Sequence, residues 1–504
     1  MTEQELKDYA SKRVDLIEDD PSTWSEQRKL IAAMSPGSNI NGDGKARGAQ
    51  FWSPNSFWRR RVDNLPADVN SANWVWSLGV EHNVTINGAI PAGISENWGD
   101  PRYGIPTHII DGNTQRIHIR QDLSSNPDIV ALMDESYPTL SDPGPYPMWI
   151  TPRVQQTQYK SGINYMVMGD KHVFVIDKDN AFLHEFYNFY YTQFQCWAGV
   201  CCTFDLLGED HQRPWGWCSG SVSGAPQFAG VVWYDEVASG RIDHALAFTA
   251  LYGWGRPAFT DVASLHQWGG AWDNNSLPPF GACLRLKSSF NIDSFPPQCI
   301  PILRALKEYG AVYVDGGHPV DIYYSQDDRW DWGQQAQMFQ VLVNSDNFDF
   351  VQTGEIYSFK GPLPPETPVP EIKLCEVYPS AVVPGEPCIV YWDVTGHSMQ
   401  WLSGIGALRK NYHIFYPTEP TSYTVRAQNK GGYVEATAVE STDPCEARGP
   451  KEPCIADGRR IVKAGRIGRQ KNFRQSHMDW LRENDDRLQK LIKASIEEQN
   501  GTNT

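Results

Sequence analysis

From Phe51 to about Lys360 the apolar residues come in short runs broken by Gly, Pro, Asn and Asp, with few long stretches of helical period. That pattern predicts an all-β sandwich or barrel. Arg116–Arg120, His172–Asp177, Val231–Tyr234 and Cys283–Lys287 are strand candidates. One helix stands out between Pro297 and Tyr309, where Ile300, Leu303 and Leu306 form a single stripe that stops at Gly310. A strand, Ala311–Asp315, follows it directly. Near the N-terminus Leu6, Tyr9, Ala10, Val14 and Leu16 are spaced as on a helix. Pro21-Ser22-Thr23 breaks and recaps it, and Glu26 to Met34 predict a second short helix.

Punctuation divides the chain further. Ser35 to Gly44 is a linker, so residues 1–45 read as a helical N-terminal segment ahead of a main β-rich domain at 51–360. Asn39, Asn41 and Asp43 imitate the opening of a calcium loop, but Gln50 stands where a bidentate Glu is needed, and no metal is expected. Gly361 to Pro370 holds five prolines in ten residues and reads as a stiff extended spacer. Residues 371–441 then alternate strand and turn signals over a length sufficient for a small sandwich. Within them Val383–Thr395, Tyr416–Val425 and Ala427–Tyr433 resemble the second strand, the penultimate strand and the last hairpin of bacterial immunoglobulin-like modules. That resemblance implies display, spacing or binding, and no catalysis.

Composition adds an aromatic excess and an acidic balance. The 19 Trp, 22 Tyr and 20 Phe make up 12% of the chain, and 16 of the Trp residues fall in the first 360 positions. A formal charge of −16 disfavours wrapping by nucleic acid and binding to anionic membranes. No apolar run is long enough to span a bilayer, and the N-terminus lacks the apolar stretch of a secretory signal. The expected setting is nevertheless extracellular or virion-associated, by a route that leaves no such signal here. The last stretch, 442–504, reverses the charge: residues 456–475 carry seven basic side chains against one acid, and Trp480 to Ile496 predict an amphipathic helix. A solvated tail competes there with a dock for an acidic partner or for self-association through 456–498. Ten cysteines are too dilute for a disulfide scaffold, although Cys375 with Cys388 and Cys445 with Cys454 are candidate pairs in an oxidising setting.

Two blocks carry candidate chemistry. Lys178–Ala181 suits a tight turn between His172–Asp177 and Phe182–Tyr187, and with that register paired positions sum to 359. His172, Glu185 and Tyr187 then share a face with Phe174, Ile176 and Leu183, where apolar neighbours would raise the carboxyl pKa. A half-polar outer face of an ordinary hairpin is the competing reading. The second block concentrates Arg213, Trp215, Trp217, Trp233, Asp235, Glu236, Arg241, Asp243 and His244. Aromatic rings beside carboxylates suit a sugar site, because flat apolar faces stack on pyranoses while two carboxyl groups can protonate and attack. Equally, Asp235 and Glu236 can cap a helical turn and Asp243 with His244 can form a buried pair. The acidic, Trp-bearing run Asp327–Trp332 reads as a solvated turn over a packed Trp, against a cation or sugar site. Phosphate-loop, zinc-helix and nucleophile-elbow motifs are absent, and no cofactor is expected.

Residues from about 140 to 350 also resemble a group of bacterial, often secreted, proteins. The shared blocks read here Asp142–Pro147, Gly169–His172, Arg213–Trp217, Tyr234–Val237, Gly240–Leu246, Pro279–Lys287 and Ala305–Gly310. The resemblance implies a β-rich extracellular-type domain and is compatible with a polysaccharide target. The resulting expectation is a mainly β, sandwich or jelly-roll-like domain that cleaves a polysaccharide by hydrolysis or elimination. Glu185, Asp235 and Glu236 would be its carboxylates, His172, Tyr187 and His244 supporting groups, and Trp215, Trp217, Trp233, Arg213 and Arg241 substrate contacts. The alternative is a non-enzymatic virion or cell-surface protein that is structural or binds glycans.

Overall fold

The computed structural model describes residues 1–38, 52–78, 105–125, 137–148, 171–192, 195–209, 213–250, 255–266, 273–316, 321–325, 329–335, 347–352 and 354–440, together with Asp327 and Gln337. The calcium-like loop, the pair Cys445 and Cys454, and the basic tail with its amphipathic helix lie outside the described residues.

The chain is mainly β, with several sheets and few helices, as its short apolar runs predict. The first sheet has five strands: β1 (Gly37–Ser38), β2 (Thr107–Ile110), β3 (Val173–Asp177), β4 (Phe182–Tyr187) and β5 (Val200–Asp205), in that spatial order. The second runs β9 (Asp321–Ile322), β6 (Leu246–Ala250), β8 (Ala311–Gly316), β7 (Cys283–Leu286) and β10 (Phe348–Val351). Each sheet holds one parallel pair, β2 with β3 and β6 with β8, among antiparallel neighbours. Phe174, Ile176, Leu183 and Phe204 from the first sheet and Phe248, Val312, Leu284 and Phe350 from the second belong to one core. The opposite face of the first sheet is covered as well, since Val173, Val175 and Phe186 pack with Ile117, Tyr146 and Cys196. Strands buried on both sides read as nearly continuous apolar runs, which is how Val173 to Ile176 read.

Helices fill the flanks. α1 (Glu3–Ser11) carries a complete capping box, Thr2 with Glu5, and α2 (Glu26–Ala32) is capped by Ser25. α3 (Ser71–Ser77) and α4 (Tyr234–Ser239) are short, whereas α5 (Ile300–Glu308) buries Ile302, Leu303, Ala305 and Leu306. Gly310, at φ 73°, ends the α5 segment and turns the chain into β8. Two strand expectations change. Arg116–Arg120 divides at His118 into two-residue strands. Val231–Tyr234 is not a strand: Val232 makes a lone bridge to Tyr324, Trp233 is the residue before α4, and Tyr234 begins that helix.

The last described unit is a two-sheet antiparallel sandwich. One sheet orders β11 (Glu371–Tyr378), β12 (Cys388–Thr395) and β15 (Tyr412–Phe415); the other orders β14 (Gly406–Ala407), β13 (Met399–Leu402), β16 (Thr421–Asn429) and β17 (Gly432–Glu440). Along β12 the side chains alternate: Cys388, Val390 and Trp392 fill the sandwich, while Ile389 and Tyr391 point outward onto Leu6, Ala10 and Val14. The N-terminal helix thus covers the outer face of this sheet. Cys375 lies opposite Trp392, and Cys388 has Tyr423 as its polar neighbour at 3.7 Å, so the strand register does not bring these two thiols together; the described cysteines are all free.

Candidate functional site

The β3–β4 hairpin has the register expected from its turn, with Val173 opposite Phe186, Phe174 opposite Glu185 and Asp177 opposite Phe182. His172 packs against Tyr187 at 5.1 Å between ring centroids, so the three polar groups do share one face. That face is not an outer one. It looks across the core toward the second sheet, and His172 and Glu185 are buried. Glu185 Oε1 accepts the Phe228 amide at 2.9 Å, at the mouth of the 3-10 turn Gln227–Gly230. Burial pushes the Glu185 carboxyl up to about 7, against the opposing pull of nearby amides and of Arg213. Burial likewise pushes the His172 imidazole down to about 3.

In the second block each charge has its own partner. Glu236 Oε2 meets His244 Nε2 at 3.0 Å, and the other His244 nitrogen lies 2.8 Å from the Ala245 carbonyl. Burial lowers the His244 pKa, but the Glu236 charge and hydrogen bond outweigh it and the net shift is upward. The buried partner of His244 is therefore Glu236, not Asp243, which pairs with Arg241 at the surface. Asp235 pairs with Arg329 at 2.9 Å, and both acids sit in the first turn of α4. Arg329 also holds Asp327, Trp330 is buried, and Asp331 accepts from Gln334, while Asp328 lies outside the described residues. Among the described residues no cluster has the composition of a metal site.

The aromatic and basic candidates separate. Trp217 and Trp233 are core side chains, with rings 6.0 Å from Tyr433 and 4.9 Å from Phe228, and neither offers a face to solvent. Arg213, fully buried, donates to Asp142 Oδ2 at 2.6 Å, to the Cys218 carbonyl at 2.7 Å and to the Leu140 carbonyl. Such saturation marks a structural node rather than a substrate contact.

Trp215 alone among these residues lines an open groove of about 820 Å³, which lies between the body and the C-terminal sandwich. Phe57, Arg60, Glu209, Asp261 and Lys430 line it too. The Trp215 ring is braced by Phe259 at 5.9 Å and Tyr357 at 6.3 Å, and Lys430 Nζ stands 5.2 Å from its centroid. Its backbone amide donates to the Lys430 carbonyl at 2.9 Å, which fixes the β16–β17 hairpin tip over the groove. The indole Nε1 is buried and donates to no described group. Glu209 accepts from Asn55 at 3.1 Å. Burial, the Asp261 charge and the bond to Glu355 push the Tyr357 phenol up to about 12, so it stays a donor beside Asp261.

Arg60, Glu209, Asp261 and Lys430 escape a reading of the sequence because they come from four distant segments and no local motif joins them. The only usable signals were Trp215 itself and the Asn429–Gly432 turn, which locates a hairpin tip but not what it covers. No family model, curated protein or solved structure matches the chain.

Proposed function

We propose that the protein is a glycan-binding protein, of the displayed or virion-associated kind, that takes a saccharide in the groove over Trp215. The observation that carries this reading is an open groove lined by two carboxylates and two cations beside a largely buried indole, a set that supplies hydrogen-bonding groups of both signs. Cleavage through Glu185 and Glu236 is the less favoured reading: both carboxyl groups are buried, each has a protein partner, and neither lines the groove. The C-terminal sandwich fits an immunoglobulin-like module, on its strand order and on the motifs that resemble that family.

Binding of the full chain to a glycan panel, with parallel assays for reducing ends and unsaturated products, tests the proposal. Trp215→Phe and Asp261→Asn should each weaken binding about tenfold, whereas Arg241→Ala, whose ion pair lies away from the groove, should not change it. Absence of binding across the panel, or full affinity in both groove variants, sinks the reading. Turnover lost in Glu185→Gln would instead restore the cleavage mechanism.

A further inference from the structure

The N-terminal segment grips both halves of the molecule. α1 lays a single stripe, Leu6, Ala10 and Val14, on the outer face of the sheet β11–β12–β15, where Ile389, Tyr391 and Tyr412 meet it. The Ile17 amide donates to Asn411 Oδ1 at 2.8 Å, the Asn411 side chain donates back to the Asp15 carbonyl at 2.9 Å, and Tyr412 donates to Glu18 at 2.8 Å. The next residue belongs to the other half. Asp19 pairs with Arg28 of α2 at 2.8 Å, and α2 buries Ile31 in the core of the body. From α2, Gln27 donates to the Leu206 carbonyl at 2.9 Å and Arg28 to the Asp179 carbonyl at 3.3 Å, while Lys178 donates to the Ala32 carbonyl. Arg409 of the sandwich grips the same turn and strand end, through Asp205 and the carbonyls of Asn180 and Ala181. The chain thus passes from sandwich to body between Glu18 and Asp19, in a stretch without regular structure.

We infer that the N-terminal segment is a releasable strap: α1 fills a helix-docking face on the sandwich, and its release uncouples the sandwich from the body. The inference is independent of what the groove binds. Nine residues are too few to hold a helix alone in water, so α1 is helical only while docked. The face beneath it, with Leu374 and Ile414 beside Ile389, Tyr391 and Tyr412, is apolar where a free sandwich would be polar, and it fits a helix with apolar side chains at every fourth position. Around that contact the charges add little, since Lys7 with Glu18 and Arg13 with Glu376 stand 3.7 and 3.8 Å apart and are partly exposed. Three apolar side chains, one of them only an alanine, therefore depend on the covalent link, which holds α1 near its face at an effective concentration on the order of 1 mM.

The test inserts a protease site between Glu18 and Asp19 of the full chain and cuts after folding, so that failure to fold does not enter. With chain at about 10 μM, cutting lowers the effective concentration of segment 1–18 about a hundredfold. The segment should separate on gel filtration, and calorimetry should then show the sandwich melting ahead of the body where the uncut chain melts once. A synthetic peptide of residues 1–18 at about 1 mM should merge the two transitions again, and the same peptide carrying Leu6→Asp should not. Retention of the cut segment after dilution overturns its release. A single transition after the segment has left overturns the coupling of sandwich to body. Early melting that the peptide does not reverse, or that the Leu6→Asp peptide reverses equally well, overturns the docking face.

Discussion

Glu185 brings a carboxyl into the space between two sheets, where water cannot solvate its charge, and only amide donors with a distant guanidinium favour ionisation. Desolvation wins, and the group titrates near 7 in the folded chain against an ordinary value of 4.5. The sign of the consequence follows from proton counts. Below about pH 4.5 both states are protonated and nothing is lost; between 4.5 and 7 the unfolded chain releases its proton first, so stability declines and then levels off above 7. The gap corresponds to about 3 kcal/mol. Glu185→Gln keeps an acceptor for the Phe228 amide without the charge, so denaturant melts should show it about 3 kcal/mol better relative to the parent at pH 8 than at pH 4. An identical difference at both pH values would show that Glu185 is not held in a desolvated site. His172 works in the opposite direction: with its imidazole pushed down to about 3, stability is lost as pH falls from 6.5 toward 3.

Elements whose two neighbours are local in sequence were legible, and elements fixed by distant contacts were not. The β3–β4 hairpin needs a turn of the right length and alternating residues, both visible in Lys178–Ala181 and its flanks, and the register followed. The α5 stripe and its Gly310 stop were equally local. Val231–Tyr234 failed because a four-residue apolar run is ambiguous by itself. What decides it is the close approach of the preceding turn to β6: a Cβ on Gly230 would stand 2.2 Å from the Ala247 nitrogen, nearer than any real contact. Only glycine lets the turn lie flat on the sheet, and that turn also delivers the Phe228 amide to Glu185. Gly230→Ala should therefore cost about 3 kcal/mol by lifting the turn. It should also steepen the Glu185-dependent loss of stability with rising pH, because the amide that favours the carboxylate moves away and desolvation is then less opposed. A destabilised variant with an unaltered pH response would mean that turn and carboxyl are not coupled. The candidate site follows the same division: His172, Glu185 and Tyr187 were correctly placed on one face, but the side chain pattern of a single hairpin cannot tell which face another sheet will cover.

At the scale of the whole molecule, the proline-rich stretch does not hold the C-terminal sandwich at a distance. Phe182 from the body packs with Met399, Trp401 and Ala407 of the sandwich, and Leu6, Ala10 and Val14 cover its other side. Polar ties are added to this apolar contact. Arg409 donates to both oxygens of Asp205, at 2.5 and 3.1 Å, and to the carbonyls of Asn180 and Ala181 at 2.6 and 3.1 Å. Its fork thus closes on the β3–β4 turn and the end of β5 together. Deeper in, Gln428 of β16 donates at 3.1 Å to Asp142, the acid already bound by buried Arg213. An interface with an apolar patch, a bidentate ion pair and a buried polar node should melt with the body as one unit, not as a module on a tether. The ion pair is partly exposed, so Arg409→Ala should cost about 2 kcal/mol, between the values for surface and buried pairs. Asp205→Ala should cost less when added to Arg409→Ala than alone, because the two share one interaction. With Gln428→Ala added to Arg409→Ala, calorimetry should resolve an early transition of the sandwich ahead of the body. Two transitions in the unaltered chain, or strict additivity of the Arg409 and Asp205 substitutions, would show the sandwich to be independently hinged, and the groove that it shares with the body would then have no fixed shape.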